Sequence, residues 1–520
     1  MGENYAEKHY SNRVILVKDK VAITIGKIDV SLVKAGIVLN EIVLLDTLNP
    51  AATGSVGSVT VQGIRWWQLI TGGGFSMRTL KINDLDCKVF INRLKSDSSV
   101  VASRDSMGSI IEIGTIEEAE LSDTIDKMLY VTASRIHLHF DSDMNPELRT
   151  LEIDRIRYRP GHGSYDVDIG NIRTSHGLGH IELDSFHLIP RYSKYEFGFE
   201  AGRRMASIDL TFEKIEFHHF DMKSLMRDST IALESIVCHR GIIDVFSDTR
   251  VPIDIDRYSS LPNEALINSP LGIAIDSIDI KDADIRYTSL NPRTMKEGFL
   301  EFKRSYVSIY NVTNDSARIE KNSSMTVDLY SKFTNEGILK AHFDFALNRK
   351  DYQFTWNGSL GTMKLGNLDS FVLPIVNMNI IDGYCHGLKF HVVSDNDTSR
   401  GSLEFQYTSL KIMAMDAERK KNLKFLSSMA NTFVVNSNNL AGDKKFTKSE
   451  ILKGREKHRG VLDYVWKSLE HGILFTILPS GIANAIEKLP AKAAEKVKKE
   501  EEKQRRRDEK KRKKEGNLNN

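Results

Sequence analysis

Cysteine is scarce in this chain of 520 residues, and Cys87, Cys238 and Cys385 stand far apart with no C-x-x-C pair among them. That spacing indicates neither a disulfide framework nor a clustered-cysteine zinc site, and it assigns the thiols to small apolar packing. Long apolar runs are missing as well. Residues 1–13 are polar, without a basic stretch leading into an apolar one, so neither a signal peptide nor a membrane anchor is expected in the chain. The most apolar late segment, 472–486, falls short of the roughly 20 residues that a span requires and is broken by Pro479. It is expected as a core or interfacial segment. Catalytic signatures are lacking too: no serine sits in a G-x-S-x-G elbow, and Gly72-Gly73-Gly74 is not followed by a G-x-x-x-x-G-K pattern. No enzyme, cofactor or metal is therefore proposed from the sequence.

What is present is an ordinary globular composition, 41% apolar and 27% charged. At this length the chain forms either several domains or one elongated sheet. The net charge of +2 averages over an uneven chain. From 491 to 514 basic residues outnumber acidic ones roughly two to one, which leaves the body mildly acidic and without a nucleic-acid footprint.

From Val14 to about Asp416 the dominant signal is two-residue alternation, as in Leu80-Lys81-Ile82-Asn83, Ile136-His137-Leu138-His139-Phe140 and Ile278-Asp279-Ile280. Strands of that kind bury one face and wet the other. Turn formers such as Asn49-Pro50 and Asn291-Pro292 punctuate them, and helix-length segments are nearly absent, so antiparallel connections are expected. One exception is 115–128, where Thr115 and Glu118 have capping-box spacing. Ser58-Val59-Thr60-Val61 corresponds to Ser207-Ile208-Asp209-Leu210, and 80–87 to 231–238, which predicts a duplicated β unit of roughly 150 residues. After 416 the period changes. Helices are expected over 418–435 and 459–477, the second carrying Leu462, Val465, Trp466, Leu469 and Ile473 on one face. The Lys/Glu/Arg-rich tail beyond Pro490 has almost no apolar residue to bury and is expected to be a solvated helix or disordered.

Three constellations invite chemistry and none carries it. His176 and His180 have the four-residue spacing of helical zinc ligands, but Gly177 and Gly179 argue against a helix. Asp141-Ser142-Asp143-Met144-Asn145 starts like a calcium loop, yet Pro146 stands where the sharp turn needs glycine. Cys385 and His386 are adjacent without a catalytic surround.

A long one-sided sheet must hide its apolar face. Either it closes against a second layer, as in a structural or assembly scaffold, or it lines a groove that holds acyl chains, each buried methylene contributing about 0.8 kcal/mol. Further residues bear on the choice. They are 273–287, Gly298-Phe299-Leu300-Glu301-Phe302 before Asn311-Val312-Thr313-Asn314, and Phe354-Thr355-Trp356-Asn357-Gly358-Ser359-Leu360. Asp382-Gly383 before Gly387-Leu388-Lys389-Phe390, then 401–412 and Trp466-Lys467-Ser468-Leu469-Glu470-His471-Gly472-Ile473, complete the series. In that order they resemble the C-terminal part of AsmA-like proteins of Gram-negative bacteria, over about 271–480.

The resemblance implies a mostly β fold, a long twisted antiparallel half-pipe built from repeats with two C-terminal amphipathic helices and a basic tail. It divides the chain into β-groove repeats (1–265), an AsmA-like β region (266–416), a helical cap (417–490) and the tail (491–520). It also implies non-enzymatic binding or transfer of phospholipid at the bacterial cell envelope, periplasmic and associated with the inner membrane. The family's usual N-terminal anchor is not found here, either because the start is truncated or because attachment occurs through the C-terminal helix and basic tail. The expected groove residues are Val59, Val61, Leu80, Ile82, Ile208, Leu210, Phe212 and Leu233. Those expected at a membrane surface are Trp466, Leu469, Ile473, Lys498, Arg505 and Arg506.

Overall fold

The computed structural model describes residues 14–17, 21–31, 35–46, 53–66, 76–90, 128–140, 146–160, 163–175, 179–414 and 435–478. The expected helices over 115–128 and 418–435 and the basic tail lie almost wholly outside them. Within them alternation becomes strand, and the protein is mostly β, its strands long, chiefly antiparallel and in an open sheet. Among the described residues before 460 the helices are short: α1 (Phe197–Glu200), α2 (Met222–Asp228), α3 (Pro262–Ile267), α4 (Ser316–Lys321) and a run of tight turns over 365–376.

The chain forms two compact units, the first from Met1–Ile253, Ser269–Leu290 and Lys303–Glu320, the second from Asp254–Asn268, Asn291–Phe302 and Lys321–Asn520. In the first unit the strands begin with β1 (Val14–Val17), β2 (Val21–Ser31), β3 (Gly36–Asp46), β4 (Thr53–Gln62), β5 (Thr79–Phe90) and β6 (Met128–Phe140). They continue through β7 (Pro146–Arg159), β8 (Tyr165–Ser175), β9 (His180–Pro190), β10 (Ser207–His218), β11 (Thr230–Asp248) and β12 (Gly272–Leu290). Each pairs with the next, antiparallel from β1 to β11. The exception is β11 with β12, which run parallel because the segment 249–271, carrying α3, returns the chain to the starting end. That long pairing, Thr230↔Gly272 through Asp248↔Leu290, ties β12 to the first unit. Among the described residues no pairing returns from β12 to β1, so the sheet is open.

β13 (Glu297–Thr313) gives 297–302 to the second unit and 303–313 to the first. The second unit also holds β14 (Ser324–Phe333), β15 (Gly337–Ala346), β16 (Phe354–Leu360), β17 (Met363–Lys364), β18 (Met378–Ser394), β19 (Thr398–Ala414) and β20 (Ser449–Gly454). Antiparallel pairs run β14–β15–β16–β18–β19–β20. Register brings Phe343, Trp356 and Val392 onto one face, where the Trp356 indole stacks on Phe343 and donates Nε1–H to Ser394 Oγ at 2.9 Å. A long helix, α5 (Val461–Ile477), packs on that face through Tyr464, Ser468, Gly472 and Thr476. Gly472 is the point of closest approach: a Cβ there would meet Leu403 Cβ at 3.0 Å and Ile451 Cγ1 at 3.1 Å. Ser449 Oγ fastens the contact by donating to the Gly472 carbonyl at 2.8 Å.

Candidate functional site: a creased apolar face

The strands of the first unit share a local sequence feature. In the middle of each, two apolar residues are separated by two polar or small ones: Ile25-Gly26-Lys27-Ile28, Leu39-Asn40-Glu41-Ile42, Val56-Gly57-Ser58-Val59 and Ile82-Asn83-Asp84-Leu85. Further along, Ile153-Asp154-Arg155-Ile156, Ile169-Gly170-Asn171-Ile172, Leu183-Asp184-Ser185-Phe186 and Phe212-Glu213-Lys214-Ile215 repeat it. Strict alternation would put the two apolar ends on opposite faces. Instead both ends join one cluster, as Ile25 and Ile28 do near β2–β5 and Phe212 and Ile215 do near β8–β11.

The backbone explains how. The second polar residue of the step lies in the left-handed region at Glu41, Asp84, Asn171, Arg240 and Asp282, and the ladder skips that position without shifting register. Each such residue needs a small or polar partner opposite. A Cβ on Gly57 would come within 2.9 Å of Asp84 Cβ, and one on Gly26 within 2.9 Å of Glu41 Cβ. Because the steps match in register, they form one crease running across the strands, as aligned bulges do.

Register also proves continuity. Ile23, Leu44, Gly54, Cys87, Val131, Ile156, Ile169, Phe186, Phe212 and Gly241 are successive cross-strand partners from β2 to β11. At about 4.8 Å per strand that row is on the order of 40 Å long, more than the hydrocarbon thickness of a bilayer. Burial follows the crease: Ile25, Ile28, Ile42, Val56, Ala133, Ile172, Leu183, Phe212, Ile215 and Cys238 are buried, while Val61, Leu80 and Ile208, farther out, are half-buried. Among the described residues, the buried floor packs against half-buried apolar residues of the same strands, such as Leu39, Val59 and Ile82 near β2–β5 and Ile169, Phe186 and Leu210 near β8–β11.

Seven of the eight residues expected in a groove fall on this face. Val59 pairs with Ile82, Val61 with Leu80, and Ile208, Leu210 and Phe212 follow one another at two-residue spacing on β10. Leu233 does not join them. It pairs with Ile275 of β12 at the end of β11 opposite Ile243, the residue that Leu210 faces. The supposed equivalents also differ in register, since Val59 faces Ile82 whereas Ile208 faces Val245 rather than Leu233. The unit that recurs visibly in the structure is the single creased strand.

The opposite face is polar and electrically self-compensated. Arg155 grips Asp168 with two hydrogen bonds, at 2.8 and 2.6 Å, and Arg159 and Arg191 converge on Asp166. The Arg155 hydrogen bonds hold the Asp168 carboxyl below its ordinary value, and at Asp166 the two arginines outweigh the opposing effect of burial. Burial pushes the Cys238 and Cys385 thiols up to about 11, and Cys385 Sγ donates to the Gly361 carbonyl at 3.6 Å. His386, adjacent to Cys385 in sequence, has its Nε2 at 2.9 Å from Thr408 Oγ1. His176, the calcium-like 141–145 stretch and Gly72-Gly73-Gly74 lie outside the described residues.

On α5 the stripe against the sheet is the small and polar one, and Leu462 and Trp466 are exposed at 80% and 43%. Leu469 and Ile473 are half-buried, and Lys498, Arg505 and Arg506 lie outside the described residues. No described helix is long and apolar enough to cross a membrane. No family model matches the chain, and no curated protein matches it either.

Proposed function

We propose that the creased apolar face of the first unit holds lipid acyl chains, making the protein a non-enzymatic lipid-binding or lipid-transfer protein. The observation that carries this reading is the unbroken apolar row across ten strands with half-open flanks. A continuous apolar row of that length, with half-buried residues along its flanks, supports the reading as a binding surface for apolar chains. Leaving isoleucine-sized side chains half open costs on the order of 1 kcal/mol each, which acyl methylenes at about 0.8 kcal/mol apiece offset. The resemblance to AsmA-like proteins adds the expected setting, the bacterial envelope, and the class of cargo, phospholipid. Contact with the membrane surface falls to the exposed Trp466 side of α5 and the basic tail, each tail charge near an anionic surface contributing about 1 kcal/mol.

Paired substitution of Val61→Asp and Leu210→Asp tests the groove. The circular dichroism spectrum should be retained, because water enters where lipid sat, while bound lipid falls. Global unfolding would instead point to a closed core and a scaffold, since two buried unpaired charges cost several kcal/mol (roughly 3 to 5) each.

A further inference from the structure

On the polar face of the first unit, register sets Glu182 of β9 directly opposite Glu216 of β10, and His180 opposite His218. Two carboxylates facing each other across a strand pair repel unless a cation stands between them. Lys214 is that cation, its Nζ 2.5 Å from Glu216 Oε1 and 3.6 Å from Glu182 Oε1. His180 adds Nε2 at 2.8 Å from Glu182 Oε1, and its Nδ1 is 3.2 Å from His218 Nδ1. Nitrogen and oxygen donors of His180, Glu182 and Glu216 lie within 4.8 Å of one another, and all three side chains are half-buried.

We propose that His180, Glu182 and Glu216 form a binding site for a divalent first-row transition ion, and that the Lys214 ammonium is its built-in competitor. One imidazole with two carboxylates is a borderline donor set, suited to Zn²⁺, Co²⁺ or Mn²⁺ rather than to the all-oxygen ions. Ligand distances of about 2.0–2.2 Å require the three donors to close in by small side-chain rotations. Half-exposed side chains have the freedom to do so. With the ion in place, His180 keeps its proton on Nδ1 and donates it to His218 Nδ1, so the second imidazole orients the ligating one.

The full chain, cleared of metal by a chelator, is titrated with Co²⁺ by visible absorption and with Zn²⁺ by calorimetry. One ion should bind at this site, and His180→Ala or Glu216→Gln should each weaken binding by at least about tenfold. Lys214→Met should tighten it, an effect that a merely structural lysine would not produce. The proposal is overturned if the native chain binds no ion, if affinity is indifferent to His180→Ala, or if Lys214→Met binds no more tightly. Metal-free melting of each variant guards against loss of fold; should His180→Ala unfold, the opposite signs expected for Glu216→Gln and Lys214→Met carry the test.

Discussion

The two units are built from strands of similar length and alternation, yet they dispose of the apolar face in different ways. In the second, the face is aromatic, with Trp356, Phe354, Phe390 and Tyr407 buried, and α5 lies across it with a small-residue stripe that lets backbone approach sheet. In the first, the face is mainly aliphatic and creased, with Phe186 and Phe212 among its residues, and its flanks remain half-buried. A helix with glycine at the contact completes a core. A glycine opposite a left-handed residue bends a strand instead. The same residue type thus serves closure in one unit and curvature in the other.

The comparison is sharpened most by core truncation. Trp356→Ala should cost about 3–5 kcal/mol, read by chemical denaturation, because indole packing and the Ser394 hydrogen bond go together. Truncating the half-buried Val61 or Ile208 to Ala should cost about 1 kcal/mol or less. Equal losses in both units would mean that the first also has a closed core.

Next in size is the crease. Gly57→Val drives a side chain against Asp84 Cβ and should cost about 1–3 kcal/mol. At Asp84 itself, held at φ +52°, Asp84→Gly should be neutral or slightly stabilising, whereas Asp84→Val should lose about 1–2 kcal/mol. Thermal melting of the two Asp84 variants checks the split, and equal melting would remove the strained residue from the account.

Acid should separate the units more gently. Asp166, Asp168, Glu182 and Glu216 titrate below their unfolded values, so the stability they add is full above about pH 4.5 and disappears as pH falls through their folded values. For Glu216 the window runs from 4.5 down to about 2. Surface pairing limits the effect to about 1 kcal/mol or less per pair. Hydrogen exchange at pH 3 against pH 6 should show larger loss of protection in β7–β11 than in β14–β19. Smallest of all, alkylation at pH 8 should leave Cys238 and Cys385 untouched in the folded protein, and labelling of either before unfolding would contradict their burial.

Much of this architecture was legible in the alternation itself, which is why strands, the open polar face and α5 emerge where the sequence puts them. Parity puts Val59, Val61, Leu80, Ile82, Ile208, Leu210 and Phe212 on one face, whereas Leu233 shares the parity of Ser235 and Val237, the partners of His218 and Glu216 on the other. The crease was also written in the chain, as quartets such as Ile169-Gly170-Asn171-Ile172, but a search for strict alternation treats each as an interruption. The parallel β11–β12 pair had no local signal, since the 249–271 crossover contains only the short α3. On α5 the apolar stripe was visible, while the choice of the Ser468–Gly472 side for packing depended on the sheet it meets.

If acyl chains occupy the creased face, they should come away with the protein when it is purified gently. Protein purified without stripping detergent should yield co-purified phospholipid by mass spectrometry, diminished in the Val61→Asp, Leu210→Asp variant. Recovery of no phospholipid from such a preparation would contradict the account.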